Sequence, residues 1–182
     1  MATLFYFFYT ETEFASQEKL FVLFQVVIVT VFIPVLTFLL LRATGNVDSV
    51  MVSKVSQRKI PLLLHCFLII LLVRKSITID HYPELHFFLL GGLLSSLLAL
   101  ILLFGNIKAS LHMIGMSSLT VFVIGLSMHL KVQSTLIIAM LILLNGVVAS
   151  SRLEMNAHTN KELIIGFMLG AIPQLLLLVL WL

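Results

Sequence analysis

The amino-acid sequence predicts an all-α membrane protein, a polytopic bundle of six transmembrane helices forming one integral membrane domain over residues 1–182. Two observations predict it. Hydrophobic residues make up 60% of the chain and charged residues only 10%, and the apolar residues are gathered in long runs between short polar connections. A soluble domain needs a polar exterior, whereas a hydrocarbon core about 30 Å thick needs about 20 apolar residues per helix. The chain therefore has room for five or six spans and for no separate soluble domain.

The apolar runs define the expected spans. They lie at about residues 20–41, 60–73, 85–105, 109–130, 134–150 and 161–182. The run at 60–73 is the shortest, and we expect snorkelling basic residues or additional helix before Pro61 to extend its reach. Small residues let helix backbones approach closely in membranes. Close helix packing is therefore predicted at Gly91, Gly92, Gly115, Gly166 and Gly170.

The charge pattern separates this chain from nucleic-acid-binding proteins, although its net charge is +3. The basic residues occur singly or in pairs between the apolar runs, which is typical of residues that anchor helix ends at a membrane surface. No basic helix interleaved with aromatic residues is present, so we expect the lipid bilayer as a partner and no nucleic acid. The single cysteine, Cys66, lies inside an apolar run and has no second cysteine with which to pair.

Six spans place both termini on one side of the membrane and three connections on the other, which we call the near side. These connections are residues 42–59, 106–111 and 151–160. Ionisable groups at membrane depth are costly and usually functional. Cations bind phosphoryl oxygens, while one histidine can attack phosphorus and another can protonate the leaving oxygen, so the set predicts an enzyme that acts on a phosphate ester. The near-side set is Lys54, Arg58, Lys59, Lys108, Ser110, His112, Arg152, Glu154, His158, Lys161 and Glu162.

The third near-side connection has the most informative spacing, Ser151-Arg152-x5-His158-x3-Glu162. Residues four apart lie on the same face of a helix, so Glu162 is expected to hold the His158 ring and to fix its tautomer. Such a partner leaves the other ring nitrogen unprotonated and directed at phosphorus. The connection is therefore predicted to supply a nucleophile, its orienting carboxylate and a cation.

The second near-side connection has the sequence Lys108-Ala109-Ser110-Leu111-His112. It places a cation, a hydroxyl group and a histidine at the start of a helix. Free backbone amides point outward at a helix N-terminus and bind anions there. This segment is therefore predicted to contribute to the same phosphate site.

With these residues placed, the sequence resembles the type 2 phosphatidic acid phosphatase superfamily of membrane phosphatases. The signature of that family is Lys-x6-Arg-Pro, then Pro-Ser-Gly-His, then Ser-Arg-x5-His-x3-Asp. The third part is present with glutamate in place of aspartate, and the second has Ala109 and Leu111 in place of proline and glycine. The first survives as Lys54-x3-Arg58-x2-Pro61. The order of the motifs and the number of spans agree, so the resemblance covers most of the chain.

The resemblance implies hydrolysis of a lipid phosphate substrate without metal or other cofactor. It implies that His158 is the nucleophile and forms a phosphohistidine, and that Glu162 orients it. It implies that His112 protonates the departing lipid oxygen and later activates water. The phosphoryl oxygens would be held by Lys54, Arg58, Ser110 and Arg152. Lys108, which lies beside the helix N-terminus of the second near-side connection, would be a further phosphate ligand.

Two other functions fit the same sequence. A non-catalytic relative would keep the fold without turnover, and the degenerate first motif is compatible with that. A transporter or flippase would line a path with intramembrane charges, whereas the charges here gather at one face. The substrate stays open, since polyprenyl pyrophosphate and phospholipid phosphates both present a phosphate on an apolar anchor. The near side carries more Lys and Arg than the far side, which by the positive-inside rule would make it cytoplasmic. The resemblance instead implies a plasma (inner) membrane location with the site facing away from the cytoplasm.

Overall fold

A computed structural model describes residues 1–9, 15–46 and 55–182, and the regular structure within these ranges is helical. A short N-terminal helix, Ala2–Leu4, continues into a π-helical turn, Phe5–Tyr9. Six long helices follow, and the first contains a π-helical stretch at Ile28–Phe32. They are α1 (Ser16–Ala43), α2 (Val55–Lys75), α3 (Pro83–Phe104), α4 (Leu111–His129), α5 (Thr135–Glu154) and α6 (Asn160–Leu178).

Five of these helices, all except α2, are long and apolar enough to cross a membrane, which makes the chain an integral membrane protein. The prediction of six spans is therefore not confirmed. Helix α2 begins at Val55. The additional helix before Pro61, which we expected because the apolar run at 60–73 is short, is therefore present. Its 21 residues extend over about 31 Å at 1.5 Å per residue, which is long enough to cross a hydrocarbon core. Basic pairs near both of its ends, however, shorten its apolar stretch.

Helices α4 and α6 form the centre of the bundle and pack with almost no space between their backbones. A Cβ atom added at Gly170 would collide with the Ser117 side chain, and the Ser118 hydroxyl donates a hydrogen bond to the Gly170 carbonyl at 3.0 Å. Against α3, Gln174 crosses over Gly91 and donates to the Phe88 carbonyl at 2.8 Å.

The glycine predictions are confirmed in part. Gly91, Gly166 and Gly170 lie at close contacts between helices. For Gly92 and Gly115 the prediction is wrong, because no heavy atom of the described residues lies within 4 Å of an added Cβ. Helix periodicity explains the difference, since only one face of each helix meets a neighbour.

The end of the bundle opposite the near side, the far end, is closed by the N-terminal segment. Phe7 is fully buried there, and Tyr6 donates a hydrogen bond to Glu84 at 2.8 Å. His129 lies 3.5 Å from the same carboxylate. These contacts attach the N-terminal turn to α3 and α4. The polar side chains of Tyr6 and His129 therefore both contact Glu84 and hold the far end together.

Candidate active site

The turn between α5 and α6 fixes His158 and Glu162 against each other. Thr159 is the N-cap of α6 and forms a reciprocal capping box with Glu162: its hydroxyl accepts from the Glu162 amide at 3.4 Å, and its own amide donates to Glu162 Oε2 at 3.2 Å. That oxygen also lies 2.9 Å from His158 Nδ1. The capping box therefore holds the carboxylate in place against the histidine. The predicted contact is present, but not on a helix face as the i, i+4 spacing suggested, because His158 precedes the N-cap of α6.

This contact determines which ring nitrogen of His158 is free to react. An ionised carboxylate only accepts hydrogen bonds, so Nδ1 carries the proton and Nε2 keeps its lone pair. The His158 side chain is 6% exposed, and its burial lowers the pKa of the ring from its ordinary value of 6.5. The positive charges of Arg58 and Lys108 lower this pKa further, while Glu162 raises it without reversing the shift. The ring is therefore neutral at pH 7.

The lowered pKa of His158 predicts how activity and stability depend on pH. If the neutral ring attacks phosphorus, kcat/KM should fall as pH drops through an apparent pKa below 6.5. Because the folded protein binds fewer protons here than the unfolded chain, the contribution of this ring to the free energy of unfolding is complete above the unfolded pKa. It is lost as pH falls through the folded pKa.

Glu162→Gln removes the partner that raises this pKa, so the acid limb of the kcat/KM profile should move to lower pH in that variant. Measuring both profiles with the same substrate separates the shift in the enzyme from the titration of the substrate. An acid limb above 6.5, or one that stays in place in Glu162→Gln, would contradict the assignment.

The start of α4 presents hydrogen-bond donors to the same turn. Ser110 is the N-cap of α4 and is fully buried, and its backbone amide donates to the Glu162 carbonyl oxygen at 3.2 Å. Its hydroxyl makes no capping bond and has no hydrogen-bond partner within the described residues. A buried polar group that stays in this state costs about 1–3 kcal/mol.

Arg152 provides a second buried donor of this kind. It lies in the last turn of α5, and within the part of the chain that the structure describes its Nε atom is buried without a hydrogen-bond partner. Its charge acts on His112, and so does the charge of His158 when that ring is protonated. An unsatisfied guanidinium nitrogen is more costly than a neutral donor and suits a phosphoryl oxygen, which accepts charge-assisted bonds.

The remaining predicted residues reach this end of the bundle from other elements. His112 is the second residue of α4 and is exposed, close enough to Arg152 and His158 for their charges to act on it. Arg58, in the first turns of α2, acts electrostatically on both His158 and Glu162. It lines an apolar cleft between α2 and α3 together with Leu62, Ala99, Leu103, Ala109 and Leu111.

The structure thus brings together seven of the eight predicted site residues, from α2, the α3–α4 connection, α4, α5 and α6. They are Arg58, Lys108, Ser110, His112, Arg152, His158 and Glu162. The predicted phosphate ligand Lys54 lies outside the described residues. Sequence reasoning missed Thr159, although Thr-x-x-Glu before an apolar run is the signature of a capping box.

Within the described ranges, no group of three or more histidine, cysteine or acidic side chains is arranged to hold a metal ion. The cationic side chains that the described residues contribute to this site are those of Arg58, Lys108 and Arg152. No protein-family model matches the chain, and neither a curated protein nor a solved structure is significantly similar to it.

Proposed function

We propose that the chain is a membrane phosphatase that hydrolyses a lipid phosphate or pyrophosphate through a phosphohistidine intermediate. The observation that carries the proposal is a pair of buried donors, Ser110 Oγ and Arg152 Nε, which have no hydrogen-bond partner among the described residues and lie at the same end of the bundle as a carboxylate-bound histidine. A phosphoryl group supplies acceptors for both donors and an electrophile for the histidine. The motif resemblance points to the same chemistry.

The first step transfers the phosphoryl group to the enzyme. The lone pair of His158 Nε2 attacks phosphorus, and the bond from phosphorus to the lipid-bearing oxygen breaks. The imidazolium of His112 donates its proton to that oxygen, so the lipid product leaves as a neutral hydroxyl group or, from a pyrophosphate, as a protonated monophosphate. Glu162 stabilises the positive charge that develops on the His158 ring.

The second step returns the enzyme to its starting state. His112, now neutral, takes a proton from water, and the resulting hydroxide attacks phosphorus. The phosphorus–nitrogen bond breaks, which releases inorganic phosphate and a neutral His158. In both steps Arg152, Ser110 and the start of α4 stabilise the equatorial oxygens, with Arg58 and Lys108 adding positive charge around them.

The proposal includes the finer features of the architecture. Helix α2 is the sixth span, with Arg58 and Lys59 snorkelling to the near-side surface, where Lys59 Nζ lies 4.6 Å from the centre of the Phe104 ring. The cations of the phosphate site carry no topological information under the positive-inside rule, and without them the near side has no excess of Lys and Arg. Following the motif resemblance, the site faces away from the cytoplasm, in the plasma (inner) membrane.

A phosphate-release screen on the purified protein tests the proposal. The panel contains a polyprenyl pyrophosphate, a phosphatidic acid and a phosphatidylglycerol phosphate. At least one of them should release inorganic phosphate, vanadate should inhibit the release, and a chelator should leave it unchanged. Absence of release from the whole panel would favour the non-catalytic or transport functions, and release that requires an added divalent ion would contradict the mechanism.

A further inference from the structure

The contact between Gly166 of α6 and the peptide of Ser110 is closer than any side chain permits. A Cβ atom added at Gly166 would lie 2.7 Å from the Ser110 carbonyl oxygen and 3.1 Å from its nitrogen. The first distance is shorter than real Cβ contacts, and both neighbours are backbone atoms that no rotamer change can move away. A substitution at Gly166 must therefore shift the start of α4 relative to α6.

The contact is this close because the Ser110 peptide hydrogen-bonds to the carbonyl group of Glu162, four residues before Gly166. In an α-helix the amide of residue i+4 faces the carbonyl oxygen of residue i, so Gly166 stands beside the Glu162 carbonyl. The Ser110 amide donates to that same oxygen at 3.2 Å. A side chain at Gly166 would occupy the space through which the Ser110 peptide approaches Glu162. Glycine is what allows the two segments to share this hydrogen bond.

We infer that Gly166 is a positioning residue that sets the separation between the two histidines of the site. Glu162 contacts His158 through its carboxylate and Ser110 through its carbonyl oxygen, and His112 follows Ser110 by two residues. His158, which attacks phosphorus, and His112, which protonates the leaving oxygen, are therefore aligned by one backbone contact, the hydrogen bond between Ser110 and Glu162. This inference rests on the proposed function and adds to it a residue that touches no substrate.

A substitution at Gly166 that separates Ser110 from Glu162 should specifically impair protonation of the leaving group. Misplacement of a reacting group by about 1 Å costs about 10²-fold in rate. An alkyl lipid phosphate needs its departing oxygen protonated, whereas an aryl phosphate with a strongly acidic phenol leaves without help. Displacing His112 from His158 should therefore slow the first substrate far more than the second.

The test compares kcat/KM of wild type and Gly166→Ala on the lipid phosphate and on an activated aryl phosphate such as p-nitrophenyl phosphate. kcat/KM is chosen because it reports the steps up to breakage of the phosphorus–oxygen bond. We expect a loss of about 10- to 100-fold for the lipid. The loss for the aryl phosphate should be clearly smaller, because that substrate is affected by the displaced Ser110 but needs no protonation of its leaving group. The ratio of the two losses is independent of the fraction of folded protein. Gly115→Ala, on α4 in open space, should match wild type with both substrates.

Ser110→Pro gives a second route to the same contact. It removes the amide that donates to Glu162, and the Ser110 φ of −79° suits proline. Compared with Ser110→Ala, which loses only the hydroxyl, it should add a further loss confined to the lipid phosphate. Equal losses on both substrates, or none in Gly166→Ala, would overturn the inference. A wild-type protein that hydrolyses neither substrate would instead overturn the proposed function.

Discussion

Replacing His158 by alanine is expected to abolish phosphate release while leaving the protein folded. The imidazole is the group placed to bond covalently to phosphorus, so nothing at the site replaces it. The ring bonds to Glu162 at the start of α6, and its removal leaves the capping box of Thr159 intact. Phosphate release on the most reactive lipid of the panel, with size-exclusion chromatography of the same sample, measures both parts of the expectation.

The matched control is His81→Ala, which removes an exposed histidine at the far end and should retain full activity. Glu162→Gln should slow turnover less than His158→Ala does, because an amide keeps the ring roughly in place but loses the charge that stabilises the imidazolium. Loss of a comparable carboxylate in serine proteases costs about 10⁴-fold. We expect a smaller loss here, since the Glu162 side chain is 21% exposed. Undiminished turnover in His158→Ala would remove this residue from the mechanism.

Replacing Arg152 by alanine is expected to reduce kcat/KM by about 10² to 10³, the usual cost of losing one donor that stabilises transition-state charge. The structural basis of this expectation is the buried Nε atom, which has no hydrogen-bond partner among the residues that the structure describes. Arg152→Lys keeps the charge but not the donor, so it should recover only part of the loss. Steady-state kinetics of the two variants on one lipid phosphate provide the measurement.

Arg74→Ala serves as the control for Arg152, because Arg74 is exposed at the opposite end of α2. It should behave like wild type. If Arg152→Ala and Arg74→Ala were equally active, the buried Nε atom of Arg152 would have a structural role, and the assignment of the phosphate site would lose its main support.

Local spacing made much of this arrangement predictable from the sequence. The apolar runs correspond to α1, α3, α4, α5 and α6 because membrane helices must satisfy their backbone hydrogen bonds internally. The contact of His158 with Glu162 was expected from their spacing, but it does not form on a helix face, because His158 precedes the Thr159 N-cap and Glu162 folds back towards it in the capping box. The gathering of the near-side motifs at one end follows from an even number of helix crossings between them.

Other features depend on tertiary packing that spacing does not contain. Helix-packing glycines look alike in sequence, yet Gly166 meets the Ser110 backbone while Gly115 faces open space. The unsatisfied hydroxyl of Ser110 could not be predicted either, because a serine at that position normally caps its own helix. The extent of α2 was uncertain for a related reason: basic residues around Pro61 obscure where an apolar helix begins.

Trapping the covalent intermediate tests the central claim most directly. The protein is exposed briefly to lipid phosphate carrying a labelled phosphoryl group, quenched in base, and digested for peptide analysis. The account predicts label on His158, stable in base and lost in acid, and no label in His158→Ala. Equal labelling of wild type and His158→Ala, or phosphate release from wild type with no labelled histidine, would contradict it.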